Sequence, residues 1–457
     1  MWSNVAAHVM TDAPELGGAL DSLTAEHGAE HLALHGRPGE TCWGTDGARP
    51  ALFCALGDRD LDLLVPAMQV QGLVGGLLKL ELRSQAGVQN RSALALVKLL
   101  RHPDCALETL DLTGCEIGGE GIAALCEALA ENATVKVLRL GWNPLGRQGG
   151  LAVAEMLKRN GAIEVLGLCN TGLDTMATVC LYAVLRDQRV LVDVDLQKAL
   201  LYSRHEDTTK AAGQMLCINR TMVTLNLANV TCGDLGAETL AKALERNATL
   251  RILSLANNQI GMGEEEEAWR KSSARAAAPA ADCPAANPTP TRCAPLLASA
   301  RRAPSRRCSA FSRLRCSAGA AGAHAFADLL GRGGACSLVA LDLSSNRLGE
   351  DGGAALGSQG IAGNTVLRRL DLRSCRLGPR ALLAVAQGMA MNSTLRGLKL
   401  WGNDFPEGGE LAAGGNDPRE CLKALQGLLR GRWLHLEVDT DVQVYEVDGV
   451  LLAARRN

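Results

Sequence analysis

Aromatic residues are scarce: four Phe, three Tyr and six Trp among 457 residues. Large cores usually draw on aromatic side chains for volume, so this shortage suggests a core built from one small set of residues used many times. No window approaches about 18 consecutive apolar residues, which argues against a transmembrane helix. The start, MWSNVAAHVMTDAPELGGAL, lacks the basic region and apolar stretch of a secretory signal, so no export is expected. Neither sign of charge dominates: 47 Lys and Arg face 49 Asp and Glu, for a formal net charge of −2. Blanket attraction to nucleic acid or to an acidic membrane is not expected from that balance. Cysteine is the exception, with 16 residues. Without an export signal they read as reduced thiols in a cytoplasmic, nuclear or nucleolar protein.

What the chain does have is repetition. The pattern L-x-x-L-x-L, with other apolar residues allowed at the Leu positions, begins at residues 77, 107, 135, 163, 191, 222, 250, 338, 367 and 395. Successive intervals are 30, 28, 28, 28, 31, 28, 88, 29 and 28 residues. Asn143, Asn258, Asn346 and Asn403 stand three residues after the last apolar position, and Cys115 and Cys375 take the same place in two further units. The L-x-L segment reads as a short strand with both leucines on one side. The Asn or Cys side chain is expected to turn inward and satisfy backbone groups where the chain leaves the strand. The second half of each unit is helical, since Leu125 and Leu129 match Leu240 and Leu244 at i, i+4 spacing. A second Asn series (132, 160, 219, 247, 364 and 392) precedes each strand by three residues.

This strand-plus-helix unit of 28–29 residues resembles the ribonuclease-inhibitor subfamily of leucine-rich repeats. The resemblance implies an α/β solenoid, a horseshoe with parallel strands on the concave face and helices on the convex one. It covers about residues 77–417. The segments Leu201-Tyr202-Ser203, Leu400 to Phe405 and Asp441 to Val450 resemble one branch of these proteins more narrowly. Members of that branch are not known as enzymes, so the resemblance implies a binding scaffold and supplies no catalytic residues. Four of the Asn positions, 132, 219, 247 and 392, also read as N-glycosylation sequons. Because they follow the repeat, turn closure is the preferred reading.

The 88-residue interval holds one repeat and an interruption. Residues 268–318 carry 10 Lys and Arg, one acidic residue (Asp282), six Pro and four Cys, a charge of +9 against −11 for the remainder. No helical or strand period survives in the stretch, so disorder is expected. Three origins remain open: a retained intron or gene-model error, a real unstructured insertion, or a basic arm carrying Arg301, Arg302, Arg306 and Arg307. The domain reading is therefore residues 1–70 as an N-terminal helical cap, 71–265 as repeats, and 266–322 as the interruption. Repeats resume over 323–417, and 418–457 form a C-terminal helix and a hairpin cap turning at Asp448-Gly449.

Motifs for chemistry are sparse. There is no GxxxxGK[ST], G-x-S-x-G, H-E-x-x-H or paired C-x-x-C set. His27, His31 and His35 recur every four residues beside Glu26 and Glu30, with Cys42 as a fourth conceivable zinc ligand. A solvated cap segment, or a strand through Leu32-Ala33-Leu34, competes with that reading. No cofactor, metal or small-molecule substrate is implied, and no membrane or nucleic-acid partner. Function must then come from strand positions that flank the core leucines and point to solvent. The last two repeats gather Arg369, Asp371, Arg373, Lys399 and Trp401 there, with Arg139 and the rim residue Trp142 as a weaker pair. Trp and Arg are enriched in interface hot spots, so a protein partner presenting an acidic patch is expected. Trp401 alternatively packs beneath the C-terminal helix. The function expected is a non-enzymatic protein-interaction scaffold. The alternatives are a regulator of a small GTPase, because Ran GTPase-activating proteins share this repeat type, and a structural component of a ciliary assembly.

Overall fold

A computed structural model describes residues 31–35, 52–53, 56–70, 72–199, 205–261, 320–333, 336–405, 418–429, 437–447 and 450–455. Strands and helices alternate along it. The strands are β1 (His31–His35), β2 (Leu52–Phe53), β3 (Lys79–Arg83), β4 (Thr109–Asp111), β5 (Val137–Arg139), β6 (Val165–Gly167), β7 (Asp193–Asp195), β8 (Thr224–Asn226), β9 (Ile252–Ser254), β10 (Ala340–Asp342), β11 (Arg369–Asp371), β12 (Gly397–Lys399), β13 (Glu437–Asp439), β14 (Val442–Val447) and β15 (Val450–Arg455). The helices are α1 (Asp58–Val70), α2 (Asn90–Leu100), α3 (Gly119–Leu129), α4 (Gly146–Arg159), α5 (Thr175–Asp187), α6 (His205–Ile218), α7 (Gly233–Leu244), α8 (Ala321–Gly331), α9 (Gly349–Ala355), α10 (Pro379–Met391) and α11 (Pro418–Leu429).

Strands β1 to β13 form one parallel sheet in chain order, except that β1 sits between β3 and the edge strand β2. The three-residue strands turn their first and third residues to the inner face and bury the middle one, as Leu110, Leu138, Leu370 and Leu398 show at 0–1% exposure. Neighbouring strands are spaced at about 4.8 Å, whereas packed helices need roughly 8–10 Å. The stack must therefore curve with the sheet inside. The core between the layers is overwhelmingly leucine, with Phe326 its one buried Phe among the described residues.

Two amide ladders hold the turns. Asn143 Nδ2 donates to the carbonyls of Leu112 (2.7 Å) and Leu140 (3.0 Å), and its Oδ1 accepts from Ile117 N–H. Cys115 and Cys375 donate from Sγ to Leu82 O (3.0 Å) and Leu343 O (3.1 Å), the inward role expected of this position. At the other end of each unit, Asn160, Asn219, Asn247 and Asn392 are all at most 5% exposed. Asn247, for example, donates to Leu216 O and accepts from Thr249 N–H and Leu250 N–H. The sequon asparagines 219, 247 and 392 are thus buried turn-closing side chains, and the half-buried Asn132 closes its turn by accepting from Thr134 N–H and Val135 N–H.

The structure alters the picture at both ends. The N-terminal region is not purely helical: β1 pairs with β3 from His31↔Lys79 to His35↔Arg83, and Leu32 is buried. At the C-terminus β13 joins the main sheet, pairing Leu398↔Val438, before β14 and β15 form the antiparallel hairpin. The interrupted repeat closes normally. Strand β9 pairs with β10 (Leu253↔Leu341), and α8 packs beside α7 as the helix of the repeat begun by β9. Asp234 Oδ1 accepts from Gly261 N–H and Gly322 N–H, both at 2.9 Å, so the two sides of the interruption meet on one carboxylate. Most of the interruption, Glu26, His27, Glu30, Cys42, Leu201-Tyr202-Ser203 and Asp448-Gly449 lie outside the described residues. Among those described, no group of three metal-binding side chains forms, and no helix is long and apolar enough to cross a membrane.

Candidate protein-interaction surface

Register places equivalent residues side by side across the inner face. The third strand position runs Asp111, Arg139, Gly167, Asp195, Asn226, Ser254, Asp342, Asp371, Lys399, Asp439. The carboxylates in this row first serve the fold. Asp111, Asp195, Asp342 and Asp371 each accept the backbone N–H two residues on, from Thr113 (3.0 Å), Gln197 (3.0 Å), Ser344 (2.9 Å) and Arg373 (3.1 Å). This is the local turn-forming role of Asp, and it accounts for much of the acidity on the inner face.

Near the N-terminal end the polar side chains interlock in a row. His31 Nε2 lies 3.6 Å from Glu81, Arg83 reaches Glu81 (3.3 Å) and Asp111 (2.8 Å), and Arg139 stands 3.6 Å from Asp111. Asp111 itself is 1% exposed.

The residues singled out near the C-terminal end do come together, on β11 and β12 and the turn that follows. Arg369 and Lys399 are exposed, and Trp401 is 53% exposed. Arg373 is held by Asp371 through Nε (2.9 Å) and Nη2 (2.8 Å). Acids border this cluster. Strand β13 sets Glu437 beside Gly397 and Asp439 beside Lys399, and both are exposed. The basic character is therefore confined to β11–β12. Sequence reasoning missed β13 because Glu437-Val438-Asp439 offers a single apolar residue and no repeat motif.

Arg139 and Trp142 form a second cluster on β5 and its turn. Arg139 lies flat over the next strand: a Cβ added to Gly167 would stand 3.4 Å from Arg139 Cγ. Arg369 does the same over Gly397, at 3.6 Å. In both cases glycine in register leaves the space. Trp142 is 44% exposed, and Lys198 Nζ lies 4.8 Å from its ring centroid, within cation–π range. Lys198 was not among the expected site residues. The signal for it was positional, since it stands five residues after the first residue of β7 as Trp142 does after that of β5.

Between the clusters the inner face is small and nearly uncharged, apart from β7 and Asp342 on β10. Burial holds Asp193 above the usual carboxylate range against the pull of Arg139. Burial likewise raises Asp195, with the charge of Asp193 adding to it and the Gln197 N–H opposing. The neighbouring Cys169 thiol is pushed up to about 11 by burial, then by Asp195. A thiol held that high stays protonated at neutral pH and is a poor nucleophile.

Sequence comparisons agree with this architecture. A model of the leucine-rich repeat matches residues 105–126, 131–154, 246–261, 334–357 and 363–386. Mouse ribonuclease inhibitor is 29% identical over 174 residues, covering 38% of this chain and 38% of that protein. Mouse leucine-rich repeat-containing protein 34, the branch resembled by the tail segments, is 30% identical over 95 residues (21% of this chain, 22% of that one). Human NACHT, LRR and PYD domains-containing protein 13 is 34% identical over 113 residues, or 25% of this chain and 11% of that one. The chain thus spans well under half the length of each of these relatives. Repeats of this kind generally mediate protein–protein interaction through the surface their stacking creates. Repeat period, matching repeat models and a parallel sheet backed by helices show an α/β leucine-rich repeat solenoid, similar to ribonuclease inhibitor and leucine-rich repeat-containing protein 34.

Proposed function

We propose that the chain is a non-catalytic scaffold that holds a protein partner across the inner face of its sheet. The partner is seated on Trp401, Arg369 and Lys399 at one end and reaches Trp142 and Arg139 at the other. The observation that carries this reading is Trp401. It is one of six Trp in the chain, more than half exposed on the inner face, and flanked by the exposed cations Arg369 and Lys399, which form no ion pair among the described residues. Tryptophan and arginine in such a setting are the side chains that dominate interface energetics. Seven strand steps separate β5 from β12, roughly 30 Å along the sheet, enough for one helix or one extended segment of a partner. Arg373 and Asp371 act as a positioning pair, because each satisfies the other. The exposed cations favour acidic and apolar groups on the partner, and Glu437 and Asp439 set the boundary of that preference.

Affinity purification with mass spectrometry tests this, comparing the natural chain with a variant carrying Arg369→Ala, Lys399→Ala and Trp401→Ala together. The variant is expected to keep its far-ultraviolet circular dichroism and melting temperature and to lose specific partners. An unchanged set of partners overturns the reading.

A further inference from the structure

One backbone position recurs in every repeat with a left-handed conformation. Five residues after the first residue of β3 to β12 stand Ser84, Gly114, Trp142, Asn170, Lys198, Asn229, Asn257, Ser345, Ser374 and Gly402, all with φ between 52° and 74°. The repeat itself imposes this geometry, since the N–H at these positions extends the sheet ladder to the next unit. Trp142 N–H donates to Cys169 O (2.7 Å) and Lys198 N–H to Ala228 O (2.9 Å). Eight of the ten occupants are Gly, Asn or Ser, small residues that suit it. Trp142 and Lys198 are the two bulky ones, and bulky side chains are strained there. Neither recovers that cost by burial: Trp142 is 44% exposed and Lys198 is exposed. They meet each other instead, across the turn of β6. Strain without packing return marks sites kept for something other than the fold.

We propose that Trp142 and Lys198 form a preassembled platform on the rim of the inner face, which takes a segment of a partner protein pairing a carboxylate with an adjacent apolar side chain. The apolar group covers the free part of the Trp142 ring, and the carboxylate meets the Lys198 ammonium. Charge decides this choice. Among the described residues no carboxylate forms an ion pair with Lys198, and Arg139 adds a second partly exposed cation nearby. The acids of the neighbourhood are recessed, with Asp111 buried beneath Arg83 and Arg139, and Asp193 and Asp195 half-buried. A partner approaching the rim therefore meets an indole and positive charge first.

This inference rests on the inner face being the binding surface, and one experiment separates the two. A random peptide library displayed on phage is panned on the full chain, on Trp142→Asn, on Lys198→Asn, and on the triple variant at Arg369, Lys399 and Trp401. Asparagine is the natural occupant of the equivalent position in three repeats, so both single variants are expected to keep or raise the melting temperature. The natural chain is expected to enrich peptides with Asp or Glu next to Leu, Phe or Trp. The enriched peptides, resynthesised, are expected to bind Trp142→Asn about thirty-fold more weakly. They are also expected to lose most of their salt dependence on Lys198→Asn. Equal binding to Trp142→Asn, enrichment without acids, no enrichment at all, or a clear fall in melting temperature overturns the proposal. Peptides lost only on the triple variant sink the platform and leave the inner-face reading standing. Peptides lost on none of the variants sink both.

Discussion

Asn258 donates its backbone N–H to Oδ1 of Asn346 at 2.8 Å, across 88 residues of sequence. In uninterrupted units the same bond joins neighbours far closer in the chain, as Cys375 N–H to Asn403 Oδ1 across 28 residues. The repeat has kept its spatial neighbour while the chain between has lengthened. Deleting residues 262–319 leaves an interval of 30 residues, within the range of the others, and joins Gly261 to Ala320 where Asp234 already gathers both sides. The deleted chain is expected to show the same circular dichroism and a melting temperature at or above that of the full chain. A loss of cooperativity would make the segment part of the fold.

The amide ladder should be the most sensitive part of the solenoid. Asn346 Nδ2 donates to Leu255 O and Leu343 O, and its Oδ1 accepts from Asn258 and Ile260. Asn346→Ala strands three buried backbone groups and leaves Leu343 O with only the Cys375 thiol as donor, at a cost of about 2–4 kcal/mol. Urea denaturation followed by circular dichroism measures it. A cost below that of an exposed-helix substitution such as Leu94→Ala would refute the ladder's role.

Asp193 carries a pH signature. Its folded value lies above the ordinary 3.8, because burial disfavours the charge. The folded state therefore binds this proton more tightly than the unfolded state. The ionised group opposes folding at neutral pH, and that opposition fades as pH falls through the raised folded value toward 3.8. Asp193→Asn should accordingly raise the melting temperature at neutral pH and lose that advantage in acid. A variant less stable than the natural chain at neutral pH contradicts this.

Thiol reactivity follows burial. Cys115 and Cys375 are buried hydrogen-bond donors whose thiols are pushed up to about 12, chiefly by desolvation, and Cys169 is raised to about 11. A disulfide-exchange reagent at neutral pH should leave these three unmodified in the native chain and label them after denaturation. Mass spectrometry of the labelled peptides reads the outcome, and early labelling of Cys375 would show the turn opening.

Most of the architecture was legible because a leucine-rich repeat writes its contacts locally. The spacing of Val135, Leu138 and Leu140, the inward Asn143 and the helical Leu125 and Leu129 each report a neighbour one repeat away. A period in sequence is then a period in space. The ends were less legible, because a terminal strand is recruited by an exposed sheet edge and needs no motif of its own. His31–His35 and Glu437–Asp439 became strands through pairing with β3 and β12.

The inner face divides the same way. Sequence alone determined that Arg369, Arg373, Lys399 and Trp401 share a surface, because alternation and period fix which side chains leave the sheet. Only the tertiary structure decided their electrostatics, by bonding Arg373 to Asp371 and bringing Glu437 and Asp439 alongside. It also decided that Lys198 lies on Trp142, a pairing of residues two repeats apart that no motif records. Periodicity sets where a side chain points, but the charge and strain it meets depend on which strands become its neighbours.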